Sequence, residues 1–119
     1  MATNEAVREV ALALPETAER PSYGGSPSFR VKGKFFARIR EDGETLVVLV
    51  NIDQKPVLIE SAPQKFFTTP HYDGHGSVLV RIAAVDRDEL RDLLTESWRL
   101  AAPKRLLAAW DAADHSSAR

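Results

Sequence analysis

The chain has 119 residues, with 16 lysines and arginines against 17 aspartates and glutamates, so no whole-molecule field draws it to nucleic acid or anionic lipid. Its length and 44% apolar content allow one domain around one core. The lack of cysteine excludes disulfides, thiolate nucleophiles and cysteine-based metal sites, and the lack of a long apolar run or a basic-then-apolar leader predicts a cytoplasmic protein with no membrane span.

Residues 3–14, TNEAVREVALAL, place Val7, Val10, Ala11 and Leu14 at helical spacing, with Thr3 or Asn4 able to cap the start and Leu14-Pro15 to end it. Residues 20–23 predict a short edge strand, because Pro21 cannot donate to a ladder, and residues 24–27 supply a turn. In SFRVKGKFFARIR, Phe29, Val31, Phe35, Ala37 and Ile39 fall on odd positions, which predicts the apolar face of a hairpin turning near Gly33. Residues 41–44, EDGE, predict a second hairpin turn, and TLVVLVN after it a central strand covered on both faces.

Asp53 is expected to cap a short helix running to Glu60, with Pro56 in its first turn and Ala62-Pro63 at its end. SVLVRIAAV, residues 77–85, predicts the last strand. Asp86 and Glu89 fit a capping arrangement for a long helix bearing Leu90, Leu93, Leu94 and Leu100 or Ala101. Pro103 opens a final helical segment with Leu106, Leu107 and Trp110, and Trp98 and Trp110 are expected to pack rather than to stack on a ligand. The order is helix, about four strands, helix, strand, long helix, an α+β layer with one antiparallel sheet and helices on one face. The expected domain covers residues 1–112, followed by a flexible tail at 113–119.

TTPHYDGHGS, residues 68–77, sets His71 and His75 four apart, the spacing of a helical metal pair. Pro70 and Asp73-Gly74 are turn formers, so the segment is expected to be a loop or hairpin tip on which that spacing loses its meaning. No further ligand completes a metal site, and neither Ser77 nor Thr69 sits in a nucleophile motif. The expectation is no catalytic set, no metal and no cofactor.

The even positions of the first hairpin hold Arg30, Lys32, Lys34, Phe36, Arg38 and Arg40. With the odd positions facing the core, these six predict a basic stripe with one aromatic on the outer side of a two-stranded ribbon, a form suited to phosphates and exposed bases. The same pattern also suits a plain solvated sheet face flanked by Glu41, Asp42 and Glu44. A second candidate is a small-molecule or protein-partner site between the sheet and Tyr23, His71, Tyr72 and Arg81, whose polar groups could orient an anionic ligand. Arg81 could instead pair with a helix carboxylate.

RPSYGGSPSFRVKGKFFARI at residues 20–39, TPHYDGHGSVLVRI at 69–82 and ESWRLAAPKRL at 96–106 together resemble the MmcQ/YjbR family of small bacterial proteins. The resemblance runs from the first helix to about Leu107. It implies a CyaY/frataxin-like α+β two-layer sandwich and a double-wing DNA-binding role, with the hairpin at residues 30–40 and the turn at 71–75 as wings. It implies no reaction, cofactor or catalytic set, and Glu5 and Glu9 are too few for an acidic iron-binding ridge. The expected function is a non-enzymatic DNA-binding module, favoured as a monomer. Its phosphate contacts would come from Arg30, Lys32, Lys34, Arg38 and Arg40, with Phe36, His71, Tyr72 and His75 alongside.

Overall fold

The computed structural model describes residues 1–21 and 25–113. Helix α1 (Asn4–Leu12) starts where the spacing predicts: the Thr3 side chain accepts the Ala6 N–H, and Val7, Val10 and Ala11 turn inward. The Thr17 hydroxyl donates to the carbonyls of Ala11 and Leu14, tying the helix end to strand β1 (Thr17–Pro21). This edge strand begins three residues before the expected one, because Thr17 already pairs with Val31 of β2 (Pro27–Val31). Of the expected 20–23 strand, residues 22 and 23 lie outside the described residues.

β2 and β3 (Lys34–Ile39) form the expected hairpin. Its two-residue turn is Lys32-Gly33, both with positive φ, 52° and 82°, the backbone that matches the right-handed twist of paired strands. The alternation then fails. Phe29 pairs with Ala37 but Arg30 pairs with Phe35, so β3 carries a bulge with Phe36 as its extra residue. Two successive side chains therefore enter the core, and Phe36 and Ala37 are both fully buried. Phe35, expected inside, moves to the outer face, and Phe36, expected outside, moves in. Ser97 holds the distortion: its hydroxyl donates to the Phe36 carbonyl and accepts the Leu49 N–H at 2.8 Å.

β4 (Thr45–Leu49) pairs with β3 on one side and β6 (Ser77–Arg81) on the other, and its first four residues are buried, as expected of a central strand. Helix α2 (Lys55–Ser61) follows, but Asp53 does not cap it: Gln54 holds the cap position without a side-chain bond, and Pro56 sits in the first turn. A two-residue strand, β5 (Phe66–Phe67), pairs with β6 and was too short to show periodicity. The strand expected through Val85 stops at Arg81 and becomes a 3₁₀ turn at Ile82–Ala84. Helix α3 (Arg87–Ala101) has the full capping box between Asp86 and Glu89, and helix α4 (Lys104–Ala112) starts after Pro103. No helix among the described residues is long and apolar enough to cross a membrane.

The result is an α+β fold, with one antiparallel six-stranded sheet, in the order β1-β2-β3-β4-β6-β5, and four helices among the described residues. The core lies between one face of the sheet and helices α1 and α3, where Phe29, Ile39, Leu46 and Val48 meet Val7, Leu90, Leu94 and Trp98. Trp98 is fully buried, its ring centroid 5.0 Å from that of Trp110, and its indole N–H donates to the Pro15 carbonyl at 3.0 Å. Of the alternatives Leu100 and Ala101, Ala101 faces inward and Leu100 is exposed.

The β3–β4 turn is pinned by Asp42. One carboxylate oxygen accepts the N–H groups of Glu44 and Thr45 at 2.8 and 3.0 Å, and the other accepts the Thr45 hydroxyl at 2.9 Å. The Glu44 N–H bond leads in holding the Asp42 pKa below its ordinary value, against a weaker opposing effect of burial. A depressed carboxylate pKa contributes stability that is present above the unfolded-state pKa and is lost as pH falls through the folded one. The urea midpoint is therefore expected to fall between about pH 5 and about pH 3, and to fall less in Asp42→Asn. An identical acid dependence in the two proteins would remove Asp42 as a cause.

Candidate nucleic-acid interface

Residues paired across an antiparallel ladder share a face. Arg38 pairs with Val47, Val47 with Leu79, and Leu79 with Phe67, so these four cross the sheet on the side away from α1 and α3. Val47 and Leu79 are almost fully buried although they stand apart from the core cluster. The loop at residues 68–76 reaches this face through Tyr72. The Tyr72 hydroxyl meets the Arg38 guanidinium at 3.0 Å, and because β4 lies between β3 and β6, Tyr72 reaches it only by lying across β4.

The loop is held at several points. Tyr72 and Asp73 N–H groups both donate to the Thr69 carbonyl, His75 N–H donates to Tyr72, and Val50 N–H donates to Gly76. Gly76 lies so near β4 that a Cβ there would stand 3.2 Å from the Val50 carbonyl oxygen. Beneath the loop, the buried Lys55 ammonium donates to the carbonyls of Tyr72 and His75. Burial pushes the Lys55 pKa down, and the Asp73 carboxylate partly offsets this. Sequence reading missed Lys55, although a cation at the first residue of a helix, where the dipole opposes it, was a usable signal.

The stripe expected on one face is divided among three places. Arg30, Arg38 and Arg40 do face outward with Phe35, but they are half-buried rather than fully solvated. The Arg38 side chain is only 14% exposed, bonded to Tyr72 and 3.5 Å from the Glu41 carboxylate. The Arg40 Nε is buried without a hydrogen-bond partner among the described residues. Lys32 is in the turn, 3.7 Å from Glu16, and Lys34 pairs with Val31 at the end of the core-side face; both are exposed. Phe36 is in the core and takes no part.

The register brings the two tips to the same end of the sheet. Val31 pairs with Lys34, Ala37 with Val48 and Leu49 with Ser77, so the Lys32-Gly33 turn and the His71–His75 loop both lie beyond the Leu49 end of β4. The strand pairs that carry them are three strand spacings apart, roughly 14 Å. Glu41, Asp42 and Glu44 sit at the opposite end, together with Arg40 and Arg81, which lie beside Thr45. Arg30 donates to the Gly33 carbonyl at 3.4 Å, beside the turn lysines.

His71 and His75 are exposed, their ring centroids 6.2 Å apart, and His71 meets the half-buried Tyr72 edge-on at 4.9 Å. No group of three or more histidine, aspartate or glutamate side chains is placed to hold a metal ion among the described residues. Arg81 is not gathered with the histidine loop. Its guanidinium lies 4.2 Å from the centre of the Phe67 ring and donates to the Pro63 carbonyl at 3.0 Å, rather than pairing with a helix carboxylate. It borders a cavity of about 480 Å³ whose lining includes neither His71 nor Tyr72, and Tyr23 lies outside the described residues. What the loop end can do chemically is contact anions through exposed cations and offer imidazole and phenol rings.

A family model described as YjbR matches residues 12–100. Uncharacterized proteins of Mycobacterium tuberculosis and Mycobacterium bovis are each 35% identical to this chain, across 92% of it and 96% of the relative. The crystal structure of Deinococcus radiodurans protein DR2400, a DUF419 domain, is similar with a TM-score of 0.71 and 26% identity, covering 84% of this chain and 78% of that one.

Proposed function

The chain belongs to the YjbR family, and from that premise and the geometry of the sheet's loop end we propose that it is a non-enzymatic nucleic-acid-binding module that meets DNA with two hairpin tips. The observation that carries this reading is the shared end: the Lys32-Gly33 turn and the His71–His75 loop flank β4 on the same side. Arg30, Lys32 and Lys34 supply the phosphate contacts. His71, Tyr72 and His75 supply hydrogen bonds or ring contacts from the second tip, and Arg38 acts through Tyr72 by holding it across β4. Arg40, whose Nε is buried, adds only the outer part of its guanidinium.

With three charges at phosphates, log affinity for duplex DNA falls with log salt at a slope of about −3. The test titrates a labelled duplex and a labelled single strand at two salt concentrations against wild type and Lys32→Glu/Lys34→Glu. These lysines are exposed and their replacement leaves the fold intact, so the double variant is expected to lose low-salt binding almost entirely. Equal binding by wild type and variant would refute this use of the turn.

A further inference from the structure

Between α2, the end of β4 and α3 runs a groove of about 370 Å³, separate from both hairpin tips. Its floor is apolar: Leu49, Val50, Leu58 and Leu93, all half-buried, so each keeps some surface that the fold itself does not cover. Its rim is acidic. Asp92 and Glu96 lie one turn apart on α3 and line the groove, Asn51 and Gln54 close the α2 side, and no lysine or arginine among the described residues lines it.

The two rim carboxylates are open to a partner, as are Glu5 and Glu60 elsewhere on the surface, but only these two border this apolar groove among the described residues. Glu89 is joined to Lys65, Asp88 to Arg91 and Asp111 to Arg99, while Asp92 and Glu96 enter no ion pair or side-chain hydrogen bond among the described residues. Two like charges four residues apart on a helix repel each other slightly, and a cation placed between them relieves that repulsion. An apolar floor wants a hydrophobic side chain, and the rim wants lysine or arginine beside it. A short helix or strand carrying both on one edge meets both demands.

We propose that this groove is a docking site for a basic amphipathic segment of a protein partner, with its apolar side chains on Leu58 and Leu93 and its cations at Asp92 and Glu96. The surface is independent of the DNA-binding reading, because it uses none of the hairpin-tip residues.

The probe is a labelled peptide with leucines at helical spacing and lysines between them, and the control is the same peptide with glutamate for lysine. Binding is followed by polarisation and by amide shifts on the full chain. The expected result is saturable binding of the lysine peptide that shifts the amides of Leu58, Leu93 and Glu96, no binding of the glutamate peptide, and affinity at least about tenfold weaker in Asp92→Lys/Glu96→Lys. Because both positions are exposed, the variant folds, and its unperturbed circular dichroism confirms it. The proposal is overturned if the lysine peptide gives no saturable shift at the groove, if the shifts map to another surface, or if the variant binds as tightly as wild type.

Discussion

Phe36→Ala lowers the free energy of unfolding by about 3–5 kcal/mol, while the same change at its neighbour Phe35 costs about 1 kcal/mol. The difference follows from the bulge. Phe36 is fully buried among core residues that include Ala37 and the α3 contacts, so truncation leaves a cavity in a close-packed interior. Phe35 is half-buried on the outer face opposite Arg30 and loses only partial contacts. Strict alternation from Val31 would reverse the order, because it assigns Phe35 to the core. Urea unfolding of the two variants decides the matter: a larger loss in Phe35→Ala would mean that β3 runs without the bulge.

Trp98→Ala is expected to cost a similar 3–5 kcal/mol, and here the controls separate packing from polarity. Trp98 is the largest fully buried side chain, its ring lies against Trp110, and its N–H satisfies the Pro15 carbonyl just after α1. Trp98→Phe keeps most of the apolar contact but leaves that carbonyl without its indole donor, at a cost of about 1–2 kcal/mol. Two-state thermal unfolding then ranks wild type above Trp98→Phe above Trp98→Ala. Indistinguishable midpoints for the phenylalanine variant and wild type would show that water serves Pro15 as well as the indole does.

The order of elements could be read from the sequence wherever one face of an element is buried and the other is not. Val7, Val10 and Ala11 announced α1, Asp86 and Glu89 announced the capping box of α3, and the buried run of β4 announced a central strand. What could not be read are features fixed by contacts between distant residues. The bulge is stabilised by Ser97, sixty-one residues from Phe36, and a serine within a helix gives no local sign of that bond. β5 has two residues, too few for a period. The site was legible as a set of residue types, basic around 30–40 and turn-forming around 71–75. Its layout was not, because the bulge exchanges Phe35 for Phe36 and the turn takes Lys32 out of the strand. Arg38 is bonded to a tyrosine thirty-four residues away, a contact that no local pattern announces.

That layout changes which cations to test. The exposed groups are at the tips, and Arg38 is committed to Tyr72 and Glu41. Tyr72→Phe therefore separates positioning from contact: removing the hydroxyl leaves the ring but releases Arg38 from it.

The most direct test of the central claim is a map of amide shifts on the full chain as a short DNA duplex is added at low salt. The account predicts saturable shifts concentrated at residues 30–34 and 71–75, reversed by added salt and absent from the acidic turn at 41–44. Shifts confined to that acidic turn or to α3, or no shifts at all, would contradict it.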